Sequence, residues 1–332
     1  MRSVVLPGYN KNVLRAMLSL RIEDRPMPVL KEGEVLIKTS AAACNPSDIA
    51  FIQGAYNIVK PVPAIPGFEG AGQIVDAARN AEYLIGKKVS AFVQSDNSGT
   101  WAEYFVAKTS DIIVLTDEMP DEQAACFTVN PFTAYAMFKW VENISAKAVV
   151  QNAAGSQVAS FIRMMANENG VEVIDIVRKS ETASMLEGMG AKHVLLETDV
   201  DFNDKLKLIC DELKPRLAFD AVGGSLSGEM YNALAPNSRM LVYGGLSNKP
   251  LSGLGVMDTI FHDKTVMGFN LIDWKLRLKE GEFDVISLFL QEKFIRGPYK
   301  TRISKTIRFD EVIKGIKSYL GNMSAGKLLL KP

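Results

Sequence analysis

The chain has 332 residues, which at roughly 150 residues per domain suggests two domains. Hydrophobic residues make up 47% and charged residues 23% of the sequence, a composition typical of globular proteins with a substantial core. Lysine plus arginine and aspartate plus glutamate both total 38, and no long basic run occurs, so we expect no nucleic-acid partner.

The N-terminal third of the chain contains short apolar segments separated by proline and glycine. Four of them lie at residues 35–43, 70–77, 87–93 and 101–107. Short strands at close spacing, with turn residues between them, predict a β-rich domain or a small barrel.

The pattern changes near Asp121, where residues 121–140 predict a helix that is interrupted around Pro131. From residue 148 onward, apolar strands alternate with helical segments. The strands are expected at residues 148–151, 171–177, 216–221, 239–243 and 265–269. This alternation predicts an α/β fold with a doubly wound parallel sheet. After about residue 275 we expect the chain to return to the first domain.

The first strand-to-helix turn of this sheet is a candidate phosphate-binding site. Laid on the G-x-G-x-x-G/A fingerprint, it has small residues at all three glycine positions, which are Ala154, Ser156 and Ala159. Small side chains let the backbone approach a pyrophosphate, and the helix N-terminus offers free N–H groups. Gln157 adds bulk where the approach should be closest. A tight turn without a ligand remains the alternative.

The tip of the second strand bears on which nucleotide is bound. Val177 ends the strand and is followed by Arg178, Lys179 and Ser180. An NAD site has a carboxylate here, whereas a 2′-phosphate needs cations, so the sequence favours NADPH. A solvated basic turn is the alternative, and Asp175 on the same strand is the residue that argues for NAD instead.

Glycine pairs follow two later strands, Gly223-Gly224 and Gly244-Gly245. Such pairs fit a ligand that lies against the backbone, although they are also common in ordinary turns.

The cysteine content and the apolar patterning indicate the compartment. Three cysteines far apart in sequence offer no disulfide framework and fit a reducing environment. The N-terminus lacks the pattern of a signal peptide, and no run of about 18 apolar residues occurs. We therefore expect a cytoplasmic protein with a small-molecule substrate and no membrane contact.

The order and spacing of several motifs resemble the medium-chain dehydrogenase/reductase superfamily, most closely its zinc-free quinone reductases and 2-enoyl thioester reductases. The resemblance implies a GroES-like catalytic domain at residues 1–121 and 276–332 and a Rossmann nucleotide-binding domain at residues 122–275. The matching segments are NPSDIAFIQGAY (45–56), PGFEGAG (66–72), VNPFTAY (129–135), QNAAGSQVA (151–159), VRKS (177–180), LVYGGLSNKP (241–250), GFNLIDW (268–274) and GKLLL (326–330).

Zinc-dependent members of this superfamily place a cysteine and a histidine in two of these segments. The corresponding residues here are Asn45 and Phe68, while Cys44 lies one position early. Both histidines, His193 and His262, lie in the nucleotide half of the chain. Because a catalytic zinc needs about three protein ligands, we expect no metal.

The resemblance also implies the functional residues. It gives Tyr56 as the expected proton donor or oxyanion partner. Apart from the resemblance, the amide chemistry of Asn45 would let its N–H group bind the developing oxyanion. Tyr56 as a loop aromatic and Asn45 as a cap of the Pro46 turn remain alternatives. The cofactor contacts that the resemblance implies are Asn130, Gly155, Ser156, Gln157, Val158, Arg178, Lys179, Ser180, Tyr243, Gly244, Gly245, Leu246, Phe269, Asn270, Leu271 and Lys327. Thr133 of the VNPFTAY segment and Gly223 of the first glycine pair are further candidate contacts.

Two residues depart from the family pattern. The phosphate turn has Gln157 and Ala159 where the family has glycines, which bears on cofactor affinity. Asn270 replaces an aromatic residue, which bears on whether the substrate is an acyl thioester.

These observations predict an NADPH-dependent, zinc-independent reductase that transfers hydride to an activated C=C bond of an enoyl thioester or an enone. The alternatives are an NADPH:quinone oxidoreductase and a non-catalytic NADPH-binding protein. The resemblance further implies a homodimer, for which residues 246–256 are expected to add an edge strand across a two-fold axis.

Overall fold

The computed structural model describes residues 1–95 and 98–332. The chain forms two compact units, one of Met1–Asn130 with Asp284–Pro332 and the other of Pro131–Phe283. The sequence placed the corresponding boundaries after residues 121 and 275. Within residues 1–95 and 98–332, no helix is both long enough and apolar enough to cross a membrane.

The elements before Asn130 are mostly short strands, in keeping with the frequent proline and glycine residues of this region. They are β1 (Arg2–Val5), α1 (Val13–Ser19), β2 (Arg21–Asp24), β3 (Glu34–Cys44), α2 (Pro46–Ile52), β4 (Glu69–Ala77), β5 (Lys88–Phe92), β6 (Tyr104–Lys108), β7 (Ile112–Val114) and α3 (Asp121–Ala124).

The following elements alternate between strand and helix. They are α4 (Asn130–Asn143), β8 (Ala148–Gln151), α5 (Gln157–Asn169), β9 (Glu172–Val177), α6 (Ser180–Gly188), β10 (His193–Leu196), α7 (Phe202–Leu213), β11 (Leu217–Asp220), α8 (Leu226–Ala233), β12 (Arg239–Val242), α9 (Val256–Phe261), β13 (Thr265–Gly268) and α10 (Leu271–Leu276). The C-terminal elements are α11 (Glu282–Ile295), β14 (Ile303–Arg308), α12 (Val312–Gly321) and β15 (Lys327–Lys331).

The first unit is built on a seven-stranded sheet. Its order is β14-β15-β3-β4-β5-β7, with β6 paired to β3 as well. All pairs except β14 with β15 are antiparallel. The C-terminal strands β14 and β15 therefore lie in the same sheet as the N-terminal strands. The predicted β-rich domain is confirmed.

The second unit contains a six-stranded sheet of order β10-β9-β8-β11-β12-β13, in which every pair is parallel. Strand β8 lies in the middle of the sheet, and β9 and β10 follow on one side of it. The chain then crosses to the other side of β8, where β11, β12 and β13 follow in order. This arrangement is the doubly wound order, with its switch point between β8 and β11. The α/β prediction is confirmed.

The helix predicted at residues 121–140 is interrupted at residues 125–129, directly before the helix that contains Pro131. Helix α3 ends at Ala124 and α4 begins at Asn130, so Pro131 lies in the first turn of α4. Proline lacks an N–H group, but the first turn of a helix has no intrahelical acceptor for that group. Pro131 therefore helps to start the second helix, and the predicted interruption around Pro131 is confirmed.

Residues 246–256 form no strand within the single chain. They contain a turn and an irregular segment before α9, and the edge strand of the parallel sheet is β13. The strand expected here would form only by pairing with a second copy across a two-fold axis, so it stays a prediction.

Candidate functional site

Three polar side chains form a buried network in the first unit. Asn45 lies between β3 and α2, Glu69 begins β4 and Lys327 begins β15. Because β15 pairs with β3 so that Leu328 lies opposite Cys44, Lys327 is carried to Asn45. The three residues are at most 3% exposed. Antiparallel pairing of β3 with β4 and β15 thus gathers residues that are far apart in sequence.

The hydrogen bonds of this network fix the Asn45 amide from both sides. Its Nδ2 donates to Glu69 Oε2 at 3.0 Å, and its Oδ1 accepts from Lys327 Nζ. Glu69 Oε1 accepts from the Val129 backbone N–H at 2.9 Å, next to Asn130. Burial raises the pKa of Glu69, and the Lys327 ammonium opposes that rise.

Asp48 adds a second buried carboxyl beside this network. It is fully buried, and its two oxygens accept from the backbone N–H groups of Asn45 at 2.7 Å and Phe68 at 2.9 Å. Burial raises its pKa to about 7, against these two hydrogen bonds and the Lys327 charge. Asp48 therefore titrates in the neutral range.

Tyr56 lies in the loop after α2 and is half-buried. Its ring packs on Phe68 with the ring centroids 5.2 Å apart. Burial raises the pKa of Tyr56, the Asp48 carboxyl raises it further, and a side-chain hydrogen bond with Gln94 acts in the opposite direction. The phenol therefore stays protonated at neutral pH and can donate a proton.

The positions at which zinc-dependent relatives bind their metal do not fit a zinc ion here. Among residues 1–95 and 98–332, no group of three or more histidine, cysteine, aspartate or glutamate side chains could hold a metal. Asn45 instead binds the ammonium of Lys327, and a divalent cation beside it would be repelled.

The turn between β8 and α5 in the second unit is the candidate phosphate turn. Ala153 adopts a positive φ of 45°, and the Ser156 N–H donates to the Ala153 carbonyl at 2.8 Å. The Ser156 hydroxyl caps α5 by accepting from the Ala159 N–H at 3.3 Å. Gly155 precedes this cap, while Gln157 and Val158 form the first turn of α5 and are buried.

Tyr243 follows β12 and lies near the Ser156 hydroxyl. Burial raises the pKa of Tyr243 well above its usual range, and Ser156 acts against that rise. The Tyr243 hydroxyl is buried, yet no residue in the described part of the chain meets the distance and angle requirements of a hydrogen bond with it. A buried polar group of this kind is usually satisfied, so the position fits contact with a bound molecule.

The glycines of this region allow close backbone approach. A Cβ on Gly244 would lie 2.8 Å from the Ala221 carbonyl oxygen, whereas Gly245 is exposed and would meet nothing within 4 Å. Gly223 has a φ of 77°, which favours glycine. Leu246 next to Gly245 is 48% exposed.

The strand tip after β9 carries exposed residues Arg178, Lys179 and Ser180, and Ser180 begins α6. Asp175, which argued for NAD, is fully buried inside the unit. Its Oδ1 accepts from Arg163 Nη1 at 2.9 Å and from Gln151 Nε2 at 2.6 Å. The Asp175 carboxylate therefore binds Arg163 and Gln151 inside the unit.

The remaining predicted site residues are placed by their own elements. Asn270 caps α10, with its Oδ1 accepting from the N–H groups of Ile272 at 2.9 Å and Asp273 at 3.1 Å. The Asn270 amide oxygen thus caps the N-terminus of α10, which an aromatic side chain could not do. Phe269 precedes this cap, Leu271 begins α10, and Asn130 and Thr133 are buried residues of α4.

The first unit therefore gathers Asn45 and Lys327 in one network with Tyr56 close by, and the second gathers Ser156 and Tyr243. Sequence reasoning missed Glu69 and Asp48, which organise the first group. The motifs around them, NPSD and PGFEG, were recognised, but only pairing of distant strands shows that their acids are buried together.

Comparison with known proteins places the chain in a family. The model for the alcohol dehydrogenase GroES-like domain matches residues 31–117, and the zinc-binding dehydrogenase model matches residues 158–287. The chain is 34% identical over 266 residues to the mitochondrial enoyl-[acyl-carrier-protein] reductase of Arabidopsis thaliana, covering 76% of this chain and 68% of that protein. The corresponding protein of Bos taurus is 33% identical, with coverages of 84% and 75%.

Solved structures show the same fold. A protein from Mesorhizobium loti assigned as an NADPH:quinone reductase is 34% identical, with a TM-score of 0.92 over 100% of this chain and 98% of that one. The complex of Etr1p with NADP and crotonyl-CoA has a TM-score of 0.81 at 23% identity, with coverages of 100% and 99%, and shows the fold alone.

The two folded units, a GroES-like domain and a doubly wound nucleotide-binding sheet, define a dehydrogenase or reductase. The chain belongs to the medium-chain dehydrogenase/reductase superfamily, among its enoyl reductase-like and quinone reductase-like members.

Proposed function

We propose that this chain is an NADPH-dependent reductase that reduces the activated C=C bond of an enoyl thioester or an enone without a metal. Its enoyl reductase relatives, at 31–34% identity, support the substrate class. The observation that carries the proposal is Tyr56, a half-buried phenol with a raised pKa packed on Phe68 beside a buried polar network.

The chemistry divides between hydride and proton. Bound NADPH would supply the hydride to the β-carbon. Tyr56 then holds the proton for the α-carbon, since a phenol with a raised pKa remains protonated until charge develops. Asn45 uses one Nδ2–H for Glu69 and keeps the second for the developing oxyanion. Lys327, which matches a cofactor contact of the family, also holds the Asn45 oxygen in place.

The features that support NADPH lie in the second unit. Ser156 and Gly155 lead into the N-terminus of α5, where free N–H groups favour a pyrophosphate. Arg178 and Lys179 are exposed at the tip of β9, where a 2′-phosphate would bind. The backbone at Gly244-Gly245 and the segment Phe269–Leu271 are the proposed nicotinamide contacts.

A second candidate is an NADPH:quinone oxidoreductase. The favouring observation is the 34% identity and TM-score of 0.92 to the Mesorhizobium loti protein assigned to that activity. A quinone takes its protons from water after hydride transfer, so this reaction does not depend on Tyr56.

The test is NADPH oxidation by the purified protein against trans-2-enoyl thioesters, enones and quinones, each measured with the unsubstituted chain and with Tyr56→Phe. We expect the olefins to be reduced and their turnover to depend on the hydroxyl. Turnover of quinones alone, unaffected by the substitution, would support the second candidate.

The protein is further proposed to be a cytoplasmic homodimer. Its three cysteines are free and buried, as in a reducing compartment. Strand β13 is the edge of the parallel sheet, and Val256, Ile260 and Phe261 of neighbouring α9 are 62–69% exposed. An unpaired edge beside exposed apolar residues favours pairing with a second copy. Light scattering that shows a monomer at micromolar concentration would contradict this.

A further inference from the structure

Strand pairing brings an acidic residue to the tip of β9. Strands β9 and β10 are parallel, with Leu196 opposite Val177. Arg178 directly follows β9, and Glu197 directly follows β10. The two residues therefore lie at the same edge of the sheet. The Glu197 N–H donates to the Val177 carbonyl at 2.8 Å, which fixes Glu197 beside the last residue before Arg178.

The charges of Glu197 and Arg178 act on each other. Glu197 is half-buried, and burial raises the pKa of its carboxyl, whereas the Arg178 guanidinium lowers it. Glu229 on α8 also faces Glu197 and raises that pKa. Arg178 is exposed and forms no ion pair with any residue in the described part of the chain. The Arg178 guanidinium therefore interacts electrostatically with Glu197 but is not held by it in an ion pair.

This arrangement bears on nucleotide choice and rests on the proposed NADPH function. We infer that Glu197 is a specificity-determining residue, whose carboxylate competes with a nucleotide 2′-phosphate for Arg178 and so limits the preference for NADPH over NADH. A carboxylate beside a 2′-phosphate repels it, while the same carboxylate can accept a hydrogen bond from an unmodified ribose 2′-hydroxyl. Both effects lower the affinity for NADPH relative to the affinity for NADH.

The position of Glu197 explains why sequence reasoning missed it. The usual position for the acid that distinguishes NAD from NADP is the end of the second strand, where this chain has Arg178 and Lys179. Glu197 follows the third strand instead, and only the parallel register places it at the same tip.

The test uses two probes that differ only in the 2′-phosphate, adenosine 2′,5′-bisphosphate and adenosine 5′-monophosphate, together with NADPH and NADH. Glu197→Gln removes the charge and keeps the shape. We expect it to raise the ratio of affinities in favour of the 2′-phosphate by roughly three- to tenfold at low salt, with less effect at high salt. The matched control is Glu187→Gln, an exposed acid at the end of α6 that changes the net charge equally.

A double-mutant cycle identifies the partner. If Glu197 acts by competing for Arg178, Glu197→Gln should have a much smaller effect in an Arg178→Ala background. NADPH binding by the unsubstituted protein, with an affinity ratio that Glu197→Gln leaves unchanged or lowers, overturns this inference alone. Failure of the unsubstituted protein to bind NADPH overturns the proposed function and this inference with it.

Discussion

Replacing Asp48 with asparagine tests the electrostatics of the buried polar network in the first unit. The carboxyl is fully buried, and its pKa of about 7 in the folded chain compares with 3.8 for an unperturbed aspartate. Between these two pH values the folded state binds more protons at Asp48 than the unfolded state does. The contribution of Asp48 to the free energy of unfolding is therefore greatest in acid and falls as pH rises towards 7.

The size of this effect follows from the pKa. Each pH unit between the unfolded and folded pKa values changes the free energy of unfolding by about 1.4 kcal/mol, so from pH 5 to pH 7 the loss is about 2–3 kcal/mol. Asp48→Asn cannot titrate and lacks this slope. It also loses one acceptor for the N–H groups of Asn45 or Phe68, which lowers stability by a constant amount. The difference between the two proteins should therefore shrink as pH rises.

The assay is urea unfolding at several pH values between 5 and 8. Trp101 is fully buried in the same core cluster as Phe68, so a Trp140→Phe, Trp274→Phe background makes fluorescence report on the first unit. Asp24→Asn, at an exposed position of the same unit, is the control. A stability difference between Asp48→Asn and its parent that stays constant across this range would refute the reasoning.

Three further predictions concern the site. Tyr56→Phe should lower olefin turnover by roughly 100-fold or more with little change in NADPH affinity, and unchanged turnover would remove its role as donor. Arg178→Ala should weaken NADPH binding by about tenfold or more and spare NADH, whereas an equal loss for both would show that no 2′-phosphate is recognised. Asp175→Asn should lower the free energy of unfolding by about 3 kcal/mol because it leaves the partly buried Arg163 guanidinium without its carboxylate partner, and NADH affinity should not change. Weaker NADH binding in a stable protein would place Asp175 at the nucleotide.

The metal prediction concerns the whole protein. Because Asn45 and Phe68 occupy the positions of zinc ligands and Lys327 supplies a cation there, activity should survive a chelator. Elemental analysis that finds about one zinc per chain, removed together with activity, would contradict this.

The sequence predicted the parts of the fold that depend on local pattern. Alternation of apolar strands with helical segments identified the parallel sheet, and strands β8, β9 and β12 lie within a residue or so of their expected positions. The interruption of the helix around Pro131 was also predictable, but the sequence did not show that Pro131 itself lies in the first turn of the second helix.

The parts of the candidate site that lie within one contiguous motif could be predicted from the sequence. The parts that combine residues from distant segments could not. The turn at Ser156 and the basic pair Arg178-Lys179 were visible as contiguous segments. The bond between Lys327 and Asn45 joins residues 282 positions apart, and no local pattern reports it. Glu197 was missed for the same reason, because parallel strand pairing brings it to the tip of β9.

The central claim is that this chain reduces an activated C=C bond with NADPH. The most direct measurement incubates the purified protein with NADPH and a trans-2-enoyl thioester and quantifies both the oxidised nucleotide and the saturated thioester. The account predicts one saturated thioester per NADPH consumed, with NADH a poorer donor and with turnover dependent on the Tyr56 hydroxyl. NADPH binding without formation of any saturated product from enoyl thioesters or enones would contradict it.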